Sequence, residues 1–210
     1  MTQDGRRLRG MRSREAILAQ AVGLASVEGL EGLSLGKLAT ATGTSKSGFF
    51  AHWRDKEQLQ LDAIEWAVRQ WTEQVVTPAL RAPAGVRRLF ALHESRLRFY
   101  REGVLPGRCF FFTVQTEFDD RPGPVRDRVA QAMGDWQTFI RRLVAEAKAR
   151  GELLDSVDDA QLAYEVDALG ERVISHIRLY DGPVVLVHAR RAVLQRLRAL
   201  CPDPTLLPED

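Results

Sequence analysis

The chain has 210 residues, of which 45% are hydrophobic and 28% are charged, and its formal net charge is +2 at pH 7. This composition predicts a soluble globular protein with a substantial hydrophobic core. Two cysteines, Cys109 and Cys201, are too few for a disulfide framework or a cysteine metal site, and no run approaches the ~18 apolar residues of a membrane span. No apolar segment follows the basic N-terminus, so we expect no secretory signal and a cytoplasmic protein with reduced thiols.

Positive charge is concentrated at the N-terminal end. Residues 1–60 carry nine Lys or Arg and six Asp or Glu, a net charge of +3, whereas residues 61–210 carry 21 and 22, a net charge of −1. This asymmetry suits a polyanionic partner for the first part of the chain only. Residues 1–11 are arginine-rich without periodicity, and we expect them to be disordered in isolation. They are either a passive tail or an arm that lies along phosphates or enters a minor groove.

Hydrophobic spacing predicts three N-terminal helices. The first runs from about Ser13 to Glu28. Ser34 can cap the N-terminus of the second, which Gly43 ends, and Thr44 or Ser45 can cap a third that runs to His52. Two short helices with a tight glycine turn form a helix-turn-helix. The predicted core of this domain contains Ile17, Ala21, Leu24, Leu35, Leu38, Ala39, Phe49 and Trp53.

A specific motif follows the glycine turn. It consists of Gly43, Thr44, Ser45, Lys46, Ser47, Gly48, Phe49, Phe50, His52, Trp53, Lys56 and Glu57. In this order the residues resemble the recognition-helix signature of the TetR family of transcriptional repressors, and the match covers about residues 12–60. The alternative is a helical hairpin inside an unrelated all-α domain, which the helix geometry alone would also allow. The ordered combination of caps, glycines, aromatic residues and a Lys-Glu pair is much harder to obtain by chance. Where the family often has a tyrosine that hydrogen-bonds a DNA phosphate, this chain has Phe50, so that contact is absent or comes from another residue.

The resemblance implies DNA-contacting residues in and around the third helix. Lys46 could donate to guanine O6 or N7, and Ser47 can bond several bases; the alternative is that both contact only phosphate. Other polar groups at the helix ends are better placed for phosphates. The complete predicted DNA-binding set is Arg14, Ser34, Thr44, Ser45, Lys46, Ser47, Gly48, Phe50, His52 and Lys56.

Six further helices are predicted. Asp55 can cap one that runs from about Lys56 to Val76, is apolar on two sides, and ends at Pro78 and Pro83. Others are expected at 84–103, 109–118, 125–150, 158–180 and 183–200. Phe110–Val114 has strand propensity, but a single strand has no sheet to join, so we expect helix. The sequences CFFF and EFDDRPGPVRD also resemble the effector domain of one TetR subgroup. The predicted fold is therefore all-α. A three-helix DNA-binding domain at 1–54 is joined, through the helix that starts at Lys56 as a connector, to a helical ligand-binding and dimerisation domain at 55–210.

In the family the second domain holds a small-molecule pocket, and aromatic and polar side chains in four successive helices suggest an amphipathic cavity here. For any single residue, plain hydrophobic core is the alternative. The effector would be a small, largely apolar molecule. The predicted ligand-binding set is Trp66, His93, Phe99, Cys109, Phe110, Phe112, Gln115, Trp136 and Phe139.

The last two helices carry regular apolar stripes that predict a four-helix interface between two copies of the chain. The alternative is that these stripes close the core of one chain. A homodimer would place two recognition helices on a palindromic double-stranded DNA operator. The predicted interface residues are Leu162, Val166, Leu169, Val173, Ile177, Leu186, Ala189, Val193, Leu197 and Leu200.

No reactive constellation indicates an enzyme. The polar residues His93, Cys109, Glu117, Asp119 and Asp120 follow no catalytic or phosphate-binding spacing, and we expect no metal and no cofactor. The sequence therefore predicts a ligand-responsive repressor. Two other functions stay open, a helix-turn-helix interaction module that does not read sequence and a regulator that responds to oxidation of Cys109.

Overall fold

The computed structural model describes residues 3–180 and 182–209, without the side chains of residues 3–9, 35, 46 and 47. Ten α-helices are assigned in this part of the chain, which contains no β-strand. They are α1 Gln3–Glu28, α2 Leu35–Thr42, α3 Lys46–Phe50, α4 Lys56–Trp71, α5 Thr77–Leu80, α6 Val86–Glu102, α7 Phe110–Phe118, α8 Pro124–Ala149, α9 Asp159–Tyr180 and α10 Val184–Leu200. The all-α prediction is confirmed, and the segment with strand propensity forms α7.

The first helix is longer than the sequence predicts. It begins at Gln3 rather than near Ser13, so residues 3–11 are helical and not the irregular arm that we expected. The apolar stripe starts only at Ile17, so nothing in the hydrophobic pattern marks the preceding turns as helix. Once the packed part of α1 has formed, each further residue adds a backbone hydrogen bond without a new nucleation cost, and arginine is a good helix former.

The end of the fourth helix also differs from the prediction. The α-conformation stops at Trp71, and the chain continues through a π-helical turn, Thr72–Val76, into α5. Pro78 does not end this helical path, because it lies in the first turn of α5, where a backbone N–H has no intrahelical acceptor. Turns of π-helix are uncommon and often occur near functional sites.

The chain divides into two compact units. The first contains the residues up to Arg69 together with Leu105–Ala130, and the second contains Gln70–Val104 together with the residues from Gln131 onward. The predicted boundary between residues 54 and 55 therefore differs from the division that the contacts define. The reason is that α7 packs against α1, so this segment of the predicted ligand-binding and dimerisation domain lies in the same unit as the helix-turn-helix.

The first unit has its core where the N-terminal stripes meet. Of the predicted core residues, Ile17, Ala21, Leu38, Phe49 and Trp53 are buried. Leu24 and Ala39 are half-buried, and the side chain of Leu35 lies outside the described residues. The segment Leu105–Ala130 supplies further buried side chains to this unit, namely Leu105, Cys109, Phe110, Val114, Phe118, Val125 and Val129.

The second unit contains an ion pair in its core. The Arg96 guanidinium on α6 donates to the Asp167 carboxylate on α9 at 2.8 Å, and both residues are only 6% exposed. Arg96 also donates to the Tyr100 hydroxyl, and Asp167 accepts from the indole of Trp136 at 2.8 Å and from the amide of Gln137. Both charged groups of the pair therefore have an opposite charge and further hydrogen-bond partners. Without such partners, burying a charge would be strongly destabilising.

Gly170 makes room for this pair. A Cβ at position 170 would lie 2.5 Å from Nη1 of Arg96, and the guanidinium cannot move aside without giving up Asp167 or Tyr100. We expect Gly170→Ala to lower the free energy of unfolding by roughly 3 kcal/mol, because it disturbs a buried charge pair. Urea denaturation of the purified variant measures this loss.

Gly134 on α8 is the matched control. It is also helical, but a Cβ there would meet no atom within 4 Å. Since alanine is the better helix former, Gly134→Ala should raise the free energy of unfolding by up to ~1 kcal/mol. Equal effects of the two substitutions would contradict the role assigned to Gly170.

Candidate nucleic-acid interface and ligand region

The helix-turn-helix is built by local capping. The Ser34 hydroxyl accepts from the Lys37 amide at the start of α2, and Gly43 ends the helix in the left-handed conformation, with φ 63°. Ser45 then accepts from the Gly48 amide at the start of α3. Gly48 has little space, since a Cβ there would lie 3.2 Å from the Thr44 methyl group. Both predicted caps, Ser34 and Gly43, are confirmed.

A buried tryptophan fixes α3 to its neighbours. The indole of Trp53 donates to Asp62 of α4 at 2.7 Å, and the same carboxylate oxygen accepts from Arg14 of α1 at 2.5 Å. The Arg14 guanidinium also lies 5.6 Å from the centre of the Trp53 ring, in cation–π range. The guanidinium of Arg14 is thus engaged inside the domain, which assigns it a structural role beside the predicted DNA contact.

The loop between α1 and α2 is held by a carboxylate from α7. Glu117 accepts from the backbone amides of Leu30 at 2.6 Å and Glu31 at 2.9 Å, one with each oxygen. Gly29 precedes them with φ 77°, and a Cβ there would collide with the same carboxylate. Glycine is therefore required at position 29 for two reasons, its backbone conformation and its lack of a side chain.

The same loop is also tied to the start of α4. Lys56 donates to the carbonyl of Glu31 at 2.7 Å and to its carboxylate at 3.1 Å, and Gln60 donates to that carboxylate at 2.9 Å. The hydrogen bonds from Gln60 and Lys56 lower the pKa of Glu31 below its usual range. Lys56, which we predicted to contact phosphate, is thus engaged with the loop.

A second anchor between α7 and α1 lies at Ser26, which is completely buried. Its carbonyl accepts from the Thr113 hydroxyl at 2.8 Å, and its own hydroxyl accepts from the Gly107 amide at 2.9 Å. Gly107 passes so close to Ser26 that a Cβ would overlap the Ser26 carbonyl. Together with Glu117, these contacts fix the end of α1 and the following loop to the segment that carries α7.

The remaining predicted DNA-binding residues lie around α3. Lys46 and Ser47 occupy its first two positions, but their side chains lie outside the described residues. His52 is half-buried, with its ring against Trp53, and Thr44 is half-buried beside Thr42. Phe50 ends the helix and is 49% exposed, with its ring edge-on to buried Phe49. An exposed aromatic ring is thus available on the surface of the recognition helix.

The nine predicted ligand-binding residues are distributed over both compact units. Trp66, Cys109, Phe110, Phe112 and Gln115 belong to the first unit, and His93, Phe99, Trp136 and Phe139 belong to the second. In the first unit, the indole N–H of Trp66 is buried and has no acceptor among the described residues. An unsatisfied buried donor is costly, so this group suits a ligand that carries an acceptor.

Three of the predicted residues meet in the second unit. The Trp136 ring lies between Trp71, with centroids 5.3 Å apart, and Phe139, at 6.2 Å, and Trp71 also contacts Phe99 at 5.3 Å. The Asp167 carboxylate borders this aromatic cluster through its bond to Trp136. The sequence interpretation missed Trp71, Arg96 and Asp167. Trp71 follows the apolar spacing of α4, which indicates packing rather than ligand contact, and no local pattern relates Arg96 to Asp167, which is 71 residues away.

His93 is separate from this cluster. It is almost fully buried on α6, where one ring nitrogen lies 3.1 Å from the Ala189 carbonyl and the other has no partner among the described residues. Burial, with the nearby charge of Arg96, lowers the pKa of His93 to about 3. The imidazole is therefore neutral at physiological pH and contributes to the contact between α6 and α10.

Cys109 is also buried, at 6% exposure. Oxidation of a thiol depends on access to the oxidant, so this burial does not favour the redox interpretation of Cys109.

A separate cleft of about 350 Å³ lies on the second unit between α6 and α10. It combines three arginines with apolar side chains and one carboxylate, and none of the predicted ligand-binding residues lines it. The lining residues are Glu94, Leu97, Arg98, Arg101, Leu186, Val187 and Arg190.

The predicted interface stripes face the interior of the single chain. Leu162, Val166, Val173, Ile177, Ala189, Val193 and Leu197 are buried, while Leu169, Leu186 and Leu200 are half-buried. A side chain that is already buried within one chain has almost no accessible surface with which to contact a second copy. The burial of these seven residues therefore does not support their predicted role in a dimer interface. The exposed apolar residues of the same two helices are Tyr164, Leu179, Tyr180, Val184 and Val187.

Within the described ranges, no helix is both long and apolar enough to cross a membrane. The same residues contain no group of three or more His, Cys, Asp or Glu side chains that could hold a metal ion.

Comparison with known proteins identifies the family. Residues 17–63 match the model for bacterial regulatory proteins of the tetR family, and residues 85–193 match the model for the tetracyclin repressor-like C-terminal domain. None of the curated proteins searched matches the chain.

Several solved structures share the fold. A TetR transcriptional regulator from Chloroflexus aurantiacus is 28% identical, with a TM-score of 0.85 over 92% of this chain and 98% of that one. A TetR-family regulator from Cytophaga hutchinsonii is 17% identical, with a TM-score of 0.82 over 93% and 98%. AibR, solved in complex with isovaleryl coenzyme A and operator DNA, is 21% identical, with a TM-score of 0.68 over 90% and 98%.

These matches cover both the helix-turn-helix and the helices that follow it, in the order in which the structure places them. Regulators of this kind bind DNA and are not enzymes, which agrees with the absence of a catalytic motif in the sequence. The chain belongs to the TetR family of transcriptional regulators.

Proposed function

We propose that the protein is a ligand-responsive repressor that binds a palindromic operator as a homodimer in the cytoplasm and is released by a small, largely apolar effector. The observation that carries this proposal is the capped helix-turn-helix, in which Gly43 and Ser45 present the short helix α3 at the surface of the first unit. The alternative function, an interaction module that does not read DNA sequence, would have the same fold but would need no residue that contacts a base. A substitution of Lys46 therefore distinguishes the repressor from the interaction module.

Lys46→Ala tests sequence reading. If the ammonium group donates to a guanine, the substitution should weaken operator binding by ~1–3 kcal/mol and remove the preference at one position per half-site. Fluorescence anisotropy on the operator and on single-base variants measures both effects. Arg142→Ala, at an exposed position of α8, is the control that should leave the preference unchanged. A uniform loss on all sequences, with a shallower salt dependence, would assign Lys46 to phosphate instead.

The dimer proposal now rests on the exposed faces of α9 and α10. Five large apolar side chains there are exposed, and Leu179 reaches 72% exposure. Leu179, Tyr180, Val184 and Val187 lie within residues 179–187, at the end of α9 and the start of α10, and exposed apolar side chains concentrated in this way indicate an interaction surface. A second copy related by a two-fold axis would cover this surface and would also supply the second recognition helix.

Sedimentation should therefore give twice the chain mass of 23.6 kDa at micromolar concentration. Leu179→Asp should shift the protein toward the single-chain mass, because a carboxylate would be buried without a partner. Leu80→Asp is the matched control, since Leu80 is also exposed but lies on α5. A wild-type protein that sediments as a single chain would contradict the proposal.

For the effector, we propose two alternative contact regions, each contained within one compact unit. In the second unit, the half-buried rings of Trp71, Trp136 and Phe139 supply apolar surface, and in the first unit Trp66 supplies an unpartnered donor. Apolar walls with a few placed polar groups are typical of small-molecule sites. Because effector and operator binding are linked, each must weaken the other by the same factor.

Helix α7 offers a route for this linkage. It carries the candidate residues Phe110, Phe112 and Gln115, and it also carries Glu117, which holds the loop before α2. An effector that contacts α7 and displaces Glu117 would release the Leu30 and Glu31 amides. The position of α2 and of the recognition helix that follows it would then be less well defined.

Glu117→Gln tests this route. An amide can accept only one of the two hydrogen bonds, so we expect the unfolding free energy to fall by about 2 kcal/mol and operator affinity to fall at least threefold. Asp120→Asn removes the same charge from an exposed position nearby. It should leave stability unchanged and, by reducing negative charge, should not weaken DNA binding. Equal behaviour of both variants would exclude Glu117 as part of the coupling.

A further inference from the structure

Phe50 is an exposed aromatic residue at the surface of the helix-turn-helix. It is the last residue of α3 and is 49% exposed, while Phe49 beside it is only 1% exposed. The two rings are edge-on, with centroids 6.1 Å apart and an interplanar angle of 88°. Because Phe49 is fixed in the core and also packs against Trp53, the Phe50 ring is held by a rigid neighbour.

The position of Phe50 relates it to Lys46. The two residues are four positions apart in the same helix, which places them on one face, about 6 Å apart along the axis. Successive base pairs of DNA are about 3.4 Å apart along the helix axis, so two of these steps span about 7 Å. If Lys46 contacts a base, Phe50 therefore reaches a position within about two base pairs of it.

The chemistry of the ring limits what it can recognise. A phenyl group has no hydrogen-bond donor, so it cannot bind a phosphate oxygen as a tyrosine hydroxyl does. In the major groove the base edges present donors and acceptors, and the C5 methyl group of thymine is the apolar feature among them. An exposed phenyl ring is complementary to that methyl group.

We propose that Phe50 reads a thymine methyl group in each half-site, next to the base that Lys46 reads. This inference rests on the proposed function and adds a second specificity residue to it. Substitution of thymine by uracil removes only the methyl group and leaves every hydrogen-bonding atom of the base pair in place. A uracil scan of the operator therefore isolates the contact.

The experiment starts with the full-length protein and a random double-stranded DNA library, from which the preferred sequence is selected. Duplexes of that sequence, each with uracil in place of one thymine, are then titrated at fixed salt by fluorescence anisotropy. One position per half-site should bind the wild type about fourfold more weakly with uracil, the loss expected for one buried methyl group. Phe50→Ala should bind the thymine and uracil duplexes equally, and both more weakly than the wild type does.

Two controls complete the test. Phe50→Leu keeps an apolar side chain and should retain part of the preference for thymine, whereas Leu80→Ala removes an exposed apolar group elsewhere and should keep all of it. The assignment of Phe50 alone would be overturned by either of two results. In the first, no uracil substitution weakens binding of the wild type to the selected operator. In the second, uracil weakens binding of Phe50→Ala as much as binding of the wild type. A selection that enriches no sequence would instead overturn the proposed function.

Discussion

The DNA-binding unit depends on one carboxylate. The Glu117 carboxylate of α7 accepts hydrogen bonds from two backbone amides in the loop between α1 and α2. These amides directly follow Gly29, where the chain turns with a positive φ. These amides follow the end of a helix and would otherwise lack partners, and a carboxylate is the strongest acceptor available for them. The recognition helix is thus positioned from a segment almost 90 residues later in the chain.

The second unit depends on a different balance. Burying the Arg96–Asp167 pair has a large desolvation cost, which is offset because Tyr100, Trp136 and Gln137 satisfy the remaining polar atoms. The network also orients Trp136, whose ring then contacts Trp71 and Phe139. A polar network that fixes aromatic side chains gives an amphipathic surface with defined geometry. Such a surface suits recognition of a small molecule better than a purely apolar core would.

The sequence predicts most helices because their signals are local. Ser34 and Gly43 mark the ends of α2 through capping chemistry that involves only nearby residues, and the stripes of α6, α8, α9 and α10 follow directly from helical periodicity. The boundaries that differ are those without a local signal. The first turns of α1 have no apolar stripe, and Pro78 is compatible with the first turn of a new helix as well as with a helix end.

By itself, the sequence determined the all-α fold, the helix-turn-helix and the family, because caps, glycine turns and the recognition motif act over a few residues. Only the tertiary structure decided which partners distant residues have. It showed that Glu117 belongs to the DNA-binding unit, that Lys56 and Arg14 have partners within that unit, and that the regular stripes of α9 and α10 face their own chain. Periodicity reveals that a helix face is apolar, but the partner of that face depends on long-range packing, which no local pattern encodes.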